Sequence, residues 1–219
     1  MIEAALLDVD GTLVDNNLLH VLAWRRAFQR LGKEVPSIDI VNKIGMGGDQ
    51  LAPTILGGDE DAAKKARDFH GEEYSKKGLI EHTRALQGAT DLLAALRKKG
   101  VRIALASSAK KEELAKYLKL LGGEKVADEI ITGQDVEATK PAPDIFERAL
   151  EALGNPKRAI VIGDTIYDIQ AAKKVGLPCV AVLTGGIERR LLEEAGARAI
   201  YTDAAAITAD LEKVLNFGG

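Results

Sequence analysis

The chain has 219 residues, 46% of them hydrophobic and 29% charged. That is long enough for one α/β domain, or a domain with a smaller insert, burying about 70% of the surface of the unfolded chain. With 30 Lys and Arg against 33 Asp and Glu, the net charge is −3 and no dense basic block occurs. This argues against nucleic-acid and membrane surfaces and for a small metabolite as partner. The opening MIEAALLDVD has no basic segment, and no apolar run approaches the ~18 residues of a membrane span, so the expected location is the cytoplasm. The single cysteine, Cys179 in PCVAVL, reads as a buried structural thiol.

In chain order, LLDVDGTLVD (6–15) reads as a buried strand that runs into two aspartates, Asp8 and Asp10. On an extended backbone, side chains at i and i+2 share a face, so these carboxylates are expected to lie close together and repel. NNLLHVLAWRRAFQRLG (16–32) then shows an apolar stripe at helical spacing, with Trp24 and Phe28 on one face as core. GMGG (45–48) and LGG (56–58) read as turns, and DEDAAKKARDFHGEEYSKKG (59–78) as polar helix. No strand pattern occurs between 15 and 83, which reads as a helical insert.

From Arg84 onward, helices and short apolar strands alternate. Helix 89–100 precedes strand 101–106, helix 110–123 precedes strand 129–132, and helix 143–154 precedes strand 159–164. Helix 166–176, strand 178–183, helix 188–196, strand 199–203 and a closing helix over 204–215 complete the series. The predicted fold is α/β: a Rossmann-like parallel sheet with helices on both faces, formed by residues 1–14 and 84–219 and interrupted by a helical domain over 15–83.

Ligands of open α/β sheets bind beyond the carboxyl ends of the strands, and polar residues cluster there. Asp8 and Asp10 follow the first strand, Ser107 and Ser108 the second, and GDTIYD with Asp164 and Asp168 the fourth; Lys140 lies after the third. Taken singly, each has an ordinary reading: the serines as helix caps, Lys140 as a surface lysine, Asp164 as a turn residue. Together they make a coherent site. Carboxylates from Asp8 and Asp164 call for a cation, and an all-oxygen set without His or Cys favours Mg²⁺. Asp8 would attack phosphorus, Asp10 would carry the proton, Ser107 and nearby backbone N–H groups would bind phosphoryl oxygens, and Lys140 would add positive charge. His20 reads either as a group that orients Asp10 or meets substrate, or as an ordinary helix histidine. Gly45, Gly47 and Gly48 fit a loop that brings backbone N–H groups to a ligand, or plain turns.

With these residues in place, the chain resembles the haloacid dehalogenase-like (HAD) hydrolase superfamily over about residues 5–186. DVDGT matches its first motif, Ser107 after RIALA its second, Lys140 in KPAPDIF its third, and Gly163–Asp164 with Asp168 its fourth. The resemblance implies a Rossmann-like core, a helical cap inserted after the first motif, Mg²⁺ dependence and an aspartyl-phosphate intermediate. It casts Asp8 as nucleophile and metal ligand, Asp10 as acid/base and backbone-carbonyl ligand, and Asp164 as the second metal carboxylate. Asp168 either binds a metal-bound water, steadies Lys140 or completes the turn.

Within the superfamily, Asp10 argues against dehalogenases and phosphonoacetaldehyde hydrolases. The segment resembles phosphoglycolate phosphatases and β-phosphoglucomutases. The arginine with which mutases hold a distal phosphate is missing from IGMGGDQL, where Asp49 stands nearby, so a phosphatase of a small phosphorylated metabolite is expected. A phosphomutase, with Lys43, Lys76 or Lys77 in place of that arginine, is the alternative. A non-catalytic phosphometabolite-binding module is a reading of another class, against which the Asp8–Asp10 pair speaks. Either a monomer or a homodimer is compatible with the sequence.

Overall fold

A computed structural model describes residues 1–217. β1 (Ala4–Leu7) and β2 (Val14–Asp15) precede four helices, α1 (Asn17–Arg30), α2 (Ser37–Val41), α3 (Gly48–Ile55) and α4 (Glu60–Gly71). A π-helical turn over Glu72–Lys76 and a 3-10 turn over Leu79–His82 lead to β3 (Arg84–Ala85). Alternation follows: α5 (Ala89–Lys98), β4 (Arg102–Ser107), α6 (Lys111–Leu121), β5 (Glu129–Thr132), α7 (Asp144–Ala152), β6 (Ala159–Gly163) and α8 (Ile166–Lys174). The chain continues through β7 (Cys179–Val182), α9 (Arg189–Ala195), β8 (Ala199–Tyr201), α10 (Ala204–Ala209) and α11 (Leu211–Val214).

The main sheet has the order β5-β4-β1-β6-β7-β8, and every pairing is parallel. Its strands are apolar without alternation because both faces are covered. Alternate residues of each strand feed separate cores. Ala5, Leu7, Ile103, Leu105, Ile160 and Ile162 pack towards α5, α6, α10 and α11, whereas Ala4, Leu6, Ala104, Ala106 and Val161 pack towards α7, α8 and α9. Cys179 is buried on the second face, and that burial pushes its thiol well above the usual range, as suits a structural residue.

Helices α1 to α4 close around a third core of their own, with Trp24, Phe28, Ile40 and Leu51 among its members. Trp24 and Phe28 stack at 5.6 Å between ring centroids. The two-residue strands β2 and β3 pair antiparallel, Val14 with Ala85 and Asp15 with Arg84, so the chain leaves and re-enters the sheet through one narrow neck. Among the described residues, no helix is long and apolar enough to cross a membrane.

Several local expectations change. The predicted closing helix over 204–215 breaks into α10 and α11 at Asp210, whose carboxylate accepts a bond from the Tyr201 hydroxyl at 2.7 Å instead of lying on a continuous helix. GMGG is only partly a turn, since Gly48 already begins α3. The polar helix expected over 59–78 widens into the π-helical turn at Glu72, and this turn carries the fully buried Tyr74. The neck strands β2 and β3 were too short to leave a pattern in the sequence.

Leu6 lies in the central strand and is 0% exposed, whereas Leu18 is 72% exposed. In urea unfolding followed by circular dichroism, Leu6→Ala is expected to lose ~2–5 kcal/mol of stability. Leu18→Ala is expected to stay within about 0.5 kcal/mol of the parent chain.

Candidate active site at the strand ends

β1 and β6 are neighbours in register, Leu7 opposite Ile162, so Asp8 and Asp164 emerge side by side just past the last residues of the two strands. Asp168, one turn into α8, completes a buried trio with oxygens within 4.8 Å of one another. Lys140 reaches in from the loop between β5 and α7; its Nζ donates to Asp8 Oδ1, and to Asp168 Oδ1 at 2.8 Å. Asp164 accepts from Thr12 Oγ1 at 2.9 Å and Asn17 Nδ2 at 3.0 Å. Asp168 Oδ2 accepts from the Thr165 backbone N–H at 3.0 Å and from Thr165 Oγ1 at 2.6 Å, capping α8. Of the roles open to Asp168, it therefore fills two at once: it steadies Lys140 and it completes the turn. Gly11 turns the chain away after Asp10 at φ +73°, and a Cβ there would collide with Asn17 and Asp164.

Charge in this pocket is unbalanced. Burial opposes the charge on Lys140, which is 2% exposed, but Asp168 and Asp8 outweigh it and hold the ammonium well above the usual lysine range. Burial pushes Asp8 well above the usual carboxylate range; Lys140 offsets part of this, while Asp168, Asp164 and Asp10 add to it. Asp164 is pushed up to about 7, first by burial and then by Asp168, despite Lys140 and the bonds from Asn17 and Thr12. Three buried carboxylates thus face one buried ammonium.

Asp10 stands apart. Its Oδ2 accepts from Ser107 Oγ at 2.9 Å, its Oδ1 accepts from Asn16 Nδ2, and His20 Nε2 lies 3.4 Å from the same oxygen. Burial works against ionisation here, but His20, Asn16 and Ser107 outweigh it and hold the group at about 2. The expected side-by-side crowding of Asp8 and Asp10 is therefore corrected. β1 ends at Leu7, and the two carboxylates take separate partners. The Asp10 carboxylate lies outside the acidic trio, and the metal role that the resemblance implies for this residue uses its backbone carbonyl.

Ser107 does two things: it donates to Asp10 and accepts the Ala109 backbone N–H at 3.0 Å. Ser108 Oγ is buried without a hydrogen-bond partner and lines the cleft. His20 stacks on Tyr74 at 3.9 Å between centroids, and its Nδ1 lies 3.1 Å from His70 Nε2. Tyr74, pushed up to about 12 by burial and by Asp10, keeps its hydroxyl proton and bonds Thr83, Tyr117 and Asn16. Gly47 lies on the cleft wall, and its N–H donates to the Lys140 carbonyl at 3.3 Å.

Asn16, Asn17, Thr12 and His70 join the site only through the fold. Asn16 has the type and place of a helix N-cap, yet its amide bonds Asp10 and caps nothing. Its spacing of four from His20 was the available signal, since such residues share a helix face. These side chains surround a cleft of about 300 Å³ between the sheet and the helical segment, lined among others by Asp8, Asp10, His20, Trp24, Ser108 and Lys140.

Residues 5–182 match the family described as haloacid dehalogenase-like hydrolase. A phosphoglycolate phosphatase of Aquifex aeolicus is 31% identical, with 84% of this chain aligned to 85% of that protein. The Arabidopsis thaliana protein SUPPRESSOR OF QUENCHING 1, chloroplastic, is 32% identical across 94% of this chain, which spans only 20% of that longer protein. Among solved structures, a hydrolase from Pseudomonas syringae superposes with a TM-score of 0.90 at 30% identity, covering 96% of this chain and 98% of that one.

The raised proton affinities of Asp164 and Asp8 mean that the folded chain keeps protons which the unfolded chain releases. In chelator, stability is therefore expected to fall as pH rises from 3.8, the ordinary aspartate value, towards about 7. Asp10 acts oppositely, but only as pH drops from 3.8 towards about 2, outside that window. Thermal midpoints between pH 4 and 7 check this: Asp164→Asn should flatten the slope, and added Mg²⁺ should raise the midpoint of the parent chain most near neutral pH.

Proposed function

The chain belongs to the haloacid dehalogenase-like hydrolase family, and from that premise we propose that it is a Mg²⁺-dependent phosphatase of a small phosphorylated metabolite, of phosphoglycolate or sugar phosphate type. The observation that carries this reading is the separation of two carboxylates at one cleft. Asp8 is bonded to Lys140 beside the acidic trio, and Asp10 is held ionised by Ser107, Asn16 and His20. On this reading, Asp8 serves as nucleophile and Asp10 as proton carrier.

The trio suits a hard divalent ion: its donors are all oxygen, all buried, and carry more negative charge than Lys140 neutralises. Asp8 and Asp164 would hold the ion through carboxylate oxygens and Asp10 through its backbone carbonyl, with Asp168 adjacent. Bound Mg²⁺ would neutralise the trio and polarise the phosphoryl oxygens.

In the first half-reaction an Asp8 oxygen forms a bond to phosphorus while the bond to the ester oxygen breaks, and Asp10 delivers a proton to the departing alkoxide. The negative charge of the incoming phosphate raises the proton affinity of Asp10 and lets it carry that proton. In the second half-reaction Asp10, again a carboxylate, takes a proton from water. The water oxygen bonds to phosphorus, the bond to Asp8 breaks, and inorganic phosphate leaves. Lys140, the Ser107 and Ser108 hydroxyls and the backbone N–H groups ahead of α6 would face the phosphoryl oxygens. Residues 15–83 would form a cap over the core of residues 1–14 and 84–219, with His20 and Gly47 on its inner wall, and exclude bulk water during transfer.

The segment IGMGGDQL lacks the arginine with which mutases hold a distal phosphate, and the nearby Asp49 carboxylate accepts from the Thr139 N–H. This favours water over a phosphorylated sugar as the final acceptor. With Mg²⁺ and p-nitrophenyl phosphate, phosphate release is expected to fall to background in Asp8→Asn and by roughly 10²–10⁴-fold in Asp10→Asn. Release unchanged by Asp8→Asn would refute the mechanism, and no release across a panel of phosphorylated metabolites would leave the binding module. Glucose 6-phosphate formed from β-glucose 1-phosphate and a bisphosphate activator faster than free phosphate would identify a mutase.

A further inference from the structure

The 45–49 segment, which runs from a loop into the first turn of α3, is fastened to both sides of the peptide that presents Lys140. Asp49 Oδ2 accepts the Thr139 backbone N–H at 3.1 Å, and Asp49 Oδ1 accepts from Thr139 Oγ1. Gln50 Nε2 donates to Asp49 Oδ2 at 2.9 Å and steadies the carboxylate. Two residues earlier, the Gly47 N–H donates to the Lys140 carbonyl at 3.3 Å, in an approach so close that a Cβ on Gly47 would overlap the Thr139 side chain. Thr139 is itself buried. The helical segment thus grips the amide and hydroxyl of Thr139 and the carbonyl of Lys140, while the Lys140 ammonium is engaged by Asp8 and Asp168.

We propose that Asp49 is a positioning residue: its carboxylate latches the 45–49 loop onto Thr139, so that closing the cleft and setting Lys140 against Asp8 are one event that needs no anionic group at the far end of the substrate. Here a charged acceptor meets two donors from a single residue. Such a bond to an ionised group is about twice as strong as a neutral one. It spans 90 residues of sequence and joins the two halves of the cleft. Closure in this chain is completed by protein groups, Asp49 and Thr139, so small monoesters with no second charge can be enclosed. The consequence for turnover rests on the phosphatase reading; the latch itself does not.

Trp24 is the single tryptophan of the chain, lines the cleft, and packs so closely on Gly48 that a Cβ there would come within 3.1 Å of its indole ring. Its fluorescence therefore reports whether the loop is seated. In the full chain without ligand, Asp49→Ala is expected to raise acrylamide quenching of Trp24 clearly above that of the parent. Asp49→Asn, which still offers an acceptor to the Thr139 N–H, should recover part of the protection. With p-nitrophenyl phosphate and Mg²⁺, Asp49→Ala should lower kcat roughly tenfold while KM moves by less than about twofold. Thr139→Val should lower kcat in the same direction, and adding it to Asp49→Ala should cost nothing more. Quenching unchanged in Asp49→Ala, or kcat losses that multiply in the double variant, would overturn the proposal. If no phosphomonoester is hydrolysed, the phosphatase reading fails while the quenching series still decides the latch.

Discussion

One buried ammonium is set against three buried carboxylates where β1 and β6 end, and the candidate site is organised around that imbalance. Lys140 bridges Asp8 and Asp168, and each of these bonds makes the burial of the other partner tolerable. Burial first, and then the neighbouring carboxylates that Lys140 does not offset, raise the proton affinities of Asp164 and Asp8. Bonds from Thr12, Asn17 and Thr165 spread the load over neighbouring turns without cancelling it. Such a cluster could hold a metal ion, and its donors are all oxygen.

The parallel sheet makes such a cluster possible. Because all strands of the main sheet run the same way, all their carboxyl ends open on one edge, and the residues that follow β1, β4, β5 and β6 meet there although more than 150 positions separate the first from the last. Of the strand side chains, only Ser107, at the last position of β4, is given to the site; alternate apolar residues are consumed by the cores on the two faces. The rest of the site comes from the loops beyond the strands and the first turns of α1 and α8, where backbone polar groups need partners in any case.

The helical segment brings a second kind of order. Asp10 is surrounded by groups from two places, Ser107 from the end of β4 and Asn16 and His20 from the start of α1, and His20 in turn stacks on Tyr74 and meets His70 through its Nδ1. Tyr74 reaches Tyr117 on α6 at 2.7 Å, so the aromatic column ties the helical segment to the core on one flank of the cleft. The Asp49–Thr139 contact does so on another. Asp10 and Lys140 are each held by residues from both sides of the cleft, which links the local electrostatics to the seating of the helical segment.

Read alone, the sequence determined the α/β class, the parallel order of elements after Arg84, the helical character of the segment before it, and the strand-end residues Asp8, Ser107, Lys140, Asp164 and Asp168. These follow from local rules: two-sided burial leaves continuous apolar runs, helices show their period, and polar residues at strand ends stand out against such runs. Tertiary structure alone decided how the carboxylates divide, with Asp8 drawn to Lys140 and Asp10 to Ser107, Asn16 and His20, although two positions separate them. It also decided the roles of Asn16, His70, Tyr74 and Asp49, and the break at Asp210. The reason is physical: partners such as Lys140 and Asp168, 28 residues apart, or Thr12 and Asp164, 152 apart, are chosen by packing, which leaves no period or spacing in the chain from which they can be read.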